Sequence, residues 1–148
     1  MSTLLGFDYG TKRIGVAVGQ TITGSATPLL TLRSRDGQPD WEGIRALIDE
    51  WRPDALVLGL PLEMDGREVE WSALVHRFAR QLQGRFGLSV HLIDERLTSI
   101  AAQRHLDSGG HRRRERPSES IDAVAAALIL ETWLSERATA ATAARSAS

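Results

Sequence analysis

Three acids far apart in the chain stand where carboxylates can do chemistry. Asp8 closes an apolar run and precedes a Gly-containing turn, Glu95 follows a second apolar run, and Asp122 opens an amphipathic segment. If the strands that carry Asp8 and Glu95 are parallel neighbours, both acids emerge from one end of a sheet. Asp122 can join them from the first turn of a helix. Carboxylates gathered in this way repel one another unless they are protonated or bound to cations. Magnesium or manganese takes oxygen ligands, keeps several waters, and commonly bridges one or two carboxylates to a substrate phosphate. Two such ions about 3.5–4 Å apart clamp the attacking and leaving oxygens of an in-line displacement. The chemistry to which the trio points is hydrolysis of a phosphodiester bond.

Each acid also has a simpler use. Asp8 can cap its turn through an Asx-type hydrogen bond. Glu95 can pair with Arg96, and Asp94 competes with it as a ligand because adjacent strand residues face opposite ways. Asp122 can serve a helix macrodipole from the first turn.

Cations accompany the acids. Lys12 and Arg13 follow Asp8, and Arg96 follows Glu95; all three could meet phosphates or balance the carboxylates. Between Arg104 and Arg116 lies a basic stretch containing Arg112, Arg113 and Arg114, just before Asp122. Its position suits contact with nucleic acid, although the formal net charge is only -1. The chain has no cysteine, so a metal must be held by oxygen or imidazole, and His76, His91, His105 and His111 share no ligand spacing.

The elements that must position these groups are legible from periodicity. Leu4–Phe7 and Arg13–Val18 read as a hairpin, and Ala26–Leu32 as a third strand that Pro28 places at an edge. Trp41, Ile44, Leu47, Ile48 and Trp51 fall at helical spacing, with Asp40 as N-cap and Pro53 beyond the end. The continuous apolar run Ala55–Leu60 predicts a central parallel strand covered on both faces. Trp71, Leu74, Val75, Phe78, Ala79 and Leu82 predict a second helix ending by Gly84 or Gly87. Leu88–Ile93 follows as the last strand, Leu97–Leu106 as a weaker helix, 108–120 as a loop, and Ile121 to about Leu134 as a final helix.

The resulting order, β-β-β-α-β-α-β-α-α, is an α/β arrangement with a mixed five-stranded sheet and helices on both faces. With 148 residues and 42% hydrophobic content, one domain over 1–137 is expected, followed by a small-residue tail, 138–148, expected to be disordered. Neither a basic leader nor an apolar run of bilayer length is found, and a cytoplasmic protein without membrane association is the expectation.

Four blocks in order, FDYGTKRIGVAV, VLGLPLEMDG, LIDERLTS and IDAVAAALIL, together resemble the YqgF family, also called RuvX. The family comprises Holliday junction resolvases and pre-16S ribosomal RNA nucleases of the ribonuclease H-like fold. The resemblance implies a two-metal nuclease whose Mg2+ or Mn2+ ions are held by Asp8, Glu95 and Asp122. Its substrate would be a structured RNA precursor or branched DNA, and resolving a junction would call for a homodimer. Glu63 stands where the family more often has Asn, a change that adds negative charge to a loop facing phosphate.

Two other functions fit some of the same residues. A D-x-G-T hairpin also cradles ATP in the actin and sugar-kinase superfamily, but those proteins close two such domains on the nucleotide. A nucleic-acid or ribosome-associated module could keep the fold without the chemistry, and the presence of all three acids weighs against that.

Overall fold

The computed structural model describes residues 2–61, 65, 71–95 and 121–147. Five strands form one sheet: β1 (Thr3–Tyr9), β2 (Arg13–Gln20), β3 (Ser25–Arg33), β4 (Ala55–Leu60) and β5 (Ser89–Asp94). Their spatial order is β3-β2-β1-β4-β5. β1 pairs antiparallel with β2, and β2 with β3; β4 runs parallel to both β1 and β5. Among the described residues the helices are α1 (Trp41–Trp51), α2 (Ser72–Phe86) and α3 (Ile121–Ala147).

Local chemistry sets these boundaries. Pro28 lies on an edge strand, as its missing N–H requires, and the β2–β3 register shifts between Val16 and Ala17 beside it. Asp40 caps α1, its Oδ1 accepting from the Gly43 N–H at 3.0 Å. The helix closes at Arg52, which takes the left-handed conformation at φ 46° and donates its N–H to Ile48. α2 closes the same way at Gly87, φ 68°, where glycine carries no steric penalty. Its first residue, Ser72, donates its hydroxyl to the Pro61 carbonyl at 2.9 Å and so ties the helix to the end of β4.

Strand alternation splits the core into two layers. Leu5, Phe7, Ile14, Val16, Leu56 and Leu58 pack against Ile44 and Leu47 of α1 and Val75, Phe78 and Leu82 of α2. On the other face, Leu4, Val57 and Ile93 meet Ala125, Ile129, Leu130 and Leu134 of α3. Burying a leucine-sized side chain contributes about 1.5–3 kcal/mol, so the dozen largest buried side chains supply most of the driving force. Helices therefore do lie on both faces. Trp71 and Leu74, read as part of the apolar stripe of α2, are exposed at 41% and 37%.

Two expectations change. β1 and β5 are not neighbours, because β4 lies between them, although all three run in the same direction. The last helix does not stop near Leu134; its backbone continues to Ala147, through the segment read as a disordered tail. The residues there are rich in alanine, the strongest helix former, and contain no glycine or proline to end the helix. The expected helix 97–106 and loop 108–120 lie outside the described residues.

Candidate active site

Asp8 is on β1, the middle strand of the five, and only 6% exposed. Leu5 and Phe7 face α1 and α2, so Leu4, Gly6 and Asp8 face α3. The carboxylate thus stands on the α3 side at the C-terminal end of the strand, where ligands gather in open α/β sheets. A tight turn returns the chain to β2, and a Cβ on Gly10 would come within 2.8 Å of the Arg13 carbonyl oxygen.

On one flank of Asp8 lies its cross-strand partner Gly15. A Cβ there would collide with the backbone carbonyl of Asp122, so α3 begins directly on the bare backbone of β2. This places Asp122 beside Asp8. Arg13, two residues before Gly15 and on the same face, holds Asp122 through Nε–Oδ2 at 3.2 Å; the two side chains are 61% and 21% exposed.

On the other flank, β1 pairs with β4 through Phe7 and Leu58, which puts Gly59 next to Asp8. The space above Gly59 is filled by Glu95. Its Oε1 lies 2.8 Å from where a Cβ would stand, and Ile129 Cδ1 lies 2.7 Å away. The side chain of Glu95 therefore reaches across β4 towards β1, made possible by its length and the missing side chain at Gly59. Asp94, its rival in sequence, is in register with Leu60, which packs in the α1–α2 layer. Alternation thus turns Asp94 to the face away from Asp8.

All three acids thus come to one face at one end of the sheet. Among the described residues they do not stand as a ready-made cage: no three His, Asp or Glu side chains are close enough to hold an ion as they are placed. The Arg13 guanidinium occupies Asp122 in this arrangement. The donor set itself fits a hard cation, being all oxygen and carried by side chains with rotatable bonds. Lys12 and Arg13 are exposed at the same end, while Arg96, Arg112, Arg113 and Arg114 lie outside the described residues.

Sequence reading missed the glycines. Gly15 and Gly59 are what let α3 and Glu95 reach the centre of the sheet, and glycine inside an apolar strand is the signal of such a close approach.

A family model described as RuvX, Holliday junction resolvase, matches residues 2–136. The chain belongs to the RuvX family. A protein of Azotobacter vinelandii, named provisionally as a pre-16S rRNA nuclease, is 57% identical over 136 residues, covering 90% of this chain and 94% of that protein. One from Pseudomonas syringae pv. tomato, with the same provisional name, is 53% identical over 133 residues, 90% of this chain and 91% of the other. Among solved structures, Thermus thermophilus RuvC in complex with a Holliday junction substrate superposes with a TM-score of 0.58 at 18% identity, covering 93% of this chain and 96% of that one. That likeness establishes the ribonuclease H-like fold of the RuvC resolvases. RuvX membership makes this chain a nuclease, a hydrolase of phosphodiester bonds.

Proposed function

We propose that this RuvX protein is a divalent-metal-dependent endonuclease with Asp8, Glu95 and Asp122 as its metal-holding carboxylates. The observation that carries the reading is the convergence on Asp8: Asp122 begins above Gly15 on one side and Glu95 lies above Gly59 on the other. Mg2+ or Mn2+ bound there would neutralise the acids, polarise the phosphodiester and lower the pKa of an attacking water. Asp8, fixed on the central strand, supplies the rigid point of the set. Asp122 can turn inward once Arg13 moves to a substrate phosphate, so phosphate binding and site assembly are coupled through one ion pair. Lys12 and Arg13 would hold the phosphates that flank the scissile bond. Arg96, Arg112, Arg113 and Arg114 would extend that grip.

Two substrates are consistent with the family: a precursor of 16S rRNA, which the names of the relatives indicate, and the four-way DNA junction of the family description. The first has the nearer support, from relatives more than half identical. Both are encountered in the cytoplasm, and no helix among the described residues is long and apolar enough to cross a membrane. The test is a cleavage panel of structured 16S precursor RNA and four-way junctions, with Mg2+, with Mn2+ and with chelator. Metal-dependent cleavage that disappears in Asp8→Asn is the expected result. Full activity in Asp8→Asn removes the proposed site, and cleavage undiminished by chelator removes the metal.

A further inference from the structure

The β3 edge carries cations that the catalytic centre does not use. Arg33, the last residue of β3, is the direct cross-strand partner of Arg13, and the Ser34 N–H donates to the Lys12 carbonyl at 3.0 Å. Like charges placed directly opposite on an antiparallel pair destabilise it. Arg13 is compensated by Asp122, whereas Arg33 has no ion pair among the described residues. An exposed arginine against another arginine is a cost that stability does not explain.

Its position is informative. Leu30 and Leu32 pack towards α1 and α2, so Arg33 springs from the opposite face, the one that carries Asp8, Gly15 and Asp122. It also lines an open cavity of about 460 Å³ whose other walls, Arg35, Gln38, Asp40 and Trp41, lead round the β3 edge to the start of α1. Asp40, an acid on this wall, has one carboxylate oxygen committed to the α1 cap. Glu42 also lines the cavity, and Asp36 sits at the exposed tip of the adjoining turn. Two strand spacings separate β1 from β3, about 10 Å, the reach of two or three phosphates along a duplex strand.

We propose that Arg33 and Arg35 form a phosphate-binding strip that carries the substrate's sugar-phosphate backbone from Lys12 and Arg13 over the β3 edge into this cavity. The proposal rests on the nuclease reading for its ligand and assigns that substrate a direction: one flank of the scissile phosphate lies across β2 and β3. Arginine suits the role because its planar fork matches phosphate oxygens and it keeps its charge at any working pH. The strip touches only the nucleic-acid backbone, so it adds affinity without sequence preference.

The experiment measures binding of an immobile four-way DNA junction, and separately a structured RNA precursor, in chelator at stepped salt concentrations. The expected result for Arg33→Gln/Arg35→Gln is weaker binding and a log-log salt slope shallower by about 0.9 for each duplex phosphate no longer neutralised, or about 0.7 on a single strand. Arg33→Lys/Arg35→Lys should keep the slope. Phosphate ethylation should interfere with wild-type binding on one flank of the cleavage position, and that interference should vanish in the glutamine variant. A matching thermal midpoint for the variants shows that the fold is intact. An unchanged slope with an unchanged interference pattern overturns the strip, as does a wild-type protein without salt-dependent binding. Binding is read without metal or cleavage, so a wild-type protein that binds as described but never cuts sinks the nuclease reading alone.

Discussion

At the scale of single residues, the proposed site sets Arg13 against a divalent ion for the carboxylate of Asp122. On that reading Arg13, which holds Asp122 Oδ2, and a divalent ion draw on the same carboxylate. Arg13→Gln removes the competitor, so metal binding should tighten in a calorimetric or thermal-shift titration while affinity for nucleic acid falls. The ion pair itself is half in solvent, with Arg13 61% exposed, so its removal should cost less than about 1 kcal/mol in a denaturant melt. A much larger cost would mean that the pair is structural and not a gate. Asp8→Asn is expected to lower kcat by about two orders of magnitude or more, measured under saturating substrate, because a neutral amide oxygen holds a hard cation far more weakly than a carboxylate. Asp94→Asn is the control: on the far face from Asp8, it should leave cleavage near the wild-type rate.

At the scale of elements, the proposed site depends on two places where backbone lies bare, Gly15 and Gly59. Gly59→Ala puts a methyl group into the space of Glu95 Oε1 and Ile129 Cδ1, at 2.8 and 2.7 Å. Glu95 is the movable neighbour, so it should be displaced: activity should fall steeply while stability drops by about 1–3 kcal/mol. Equal activity in cleavage assays would show that Glu95 does not need to cross β4. Gly15→Ala has no flexible neighbour to yield, since it meets the backbone of α3, and absence of the folded protein is expected in circular dichroism. The contrast explains what the sequence made legible. Strands, caps and the parallel centre follow from local periodicity: the Asp40 cap, the edge position of Pro28 and the αL close at Gly87 all lie in windows of a few residues. Which strands are neighbours does not. Placing β4 between β1 and β5 is a long-range choice, and it changes Glu95 from an acid at an adjacent strand end into one that must reach over a glycine. Alternation about Leu60 and Ile93 then separates Glu95 from Asp94, which composition could not do. The helical continuation to Ala147 was hidden for a different reason: a run of small residues has nothing to bury and reads as a tail, yet alanine alone favours the helix.

At the scale of the whole molecule, the formal charge of -1 conceals a local pattern in which Asp8, Glu95 and Asp122 come to one end of the sheet and Arg13 and Arg33 stand in line beside them on β2 and β3. The sum says little about substrate; on the proposed reading, that juxtaposition lets cation and phosphate be bound side by side. Metal binding should therefore be visible as stability. A divalent ion at one hundred times its Kd should stabilise the fold by about 2.7 kcal/mol, and the shift should be absent in Asp8→Asn, both read from thermal midpoints. Stoichiometry then separates the two substrates. One chain brings one carboxylate set, and cutting a four-way junction symmetrically requires two sets on opposed strands, related by a two-fold axis. Trimming an RNA precursor requires only one. Mass measured in solution, alone and with a junction, should show two copies per junction if resolution is the activity. A protein that stays monomeric on both substrates and cuts precursor RNA at full rate would place this chain on the ribosomal side, in line with its relatives more than half identical.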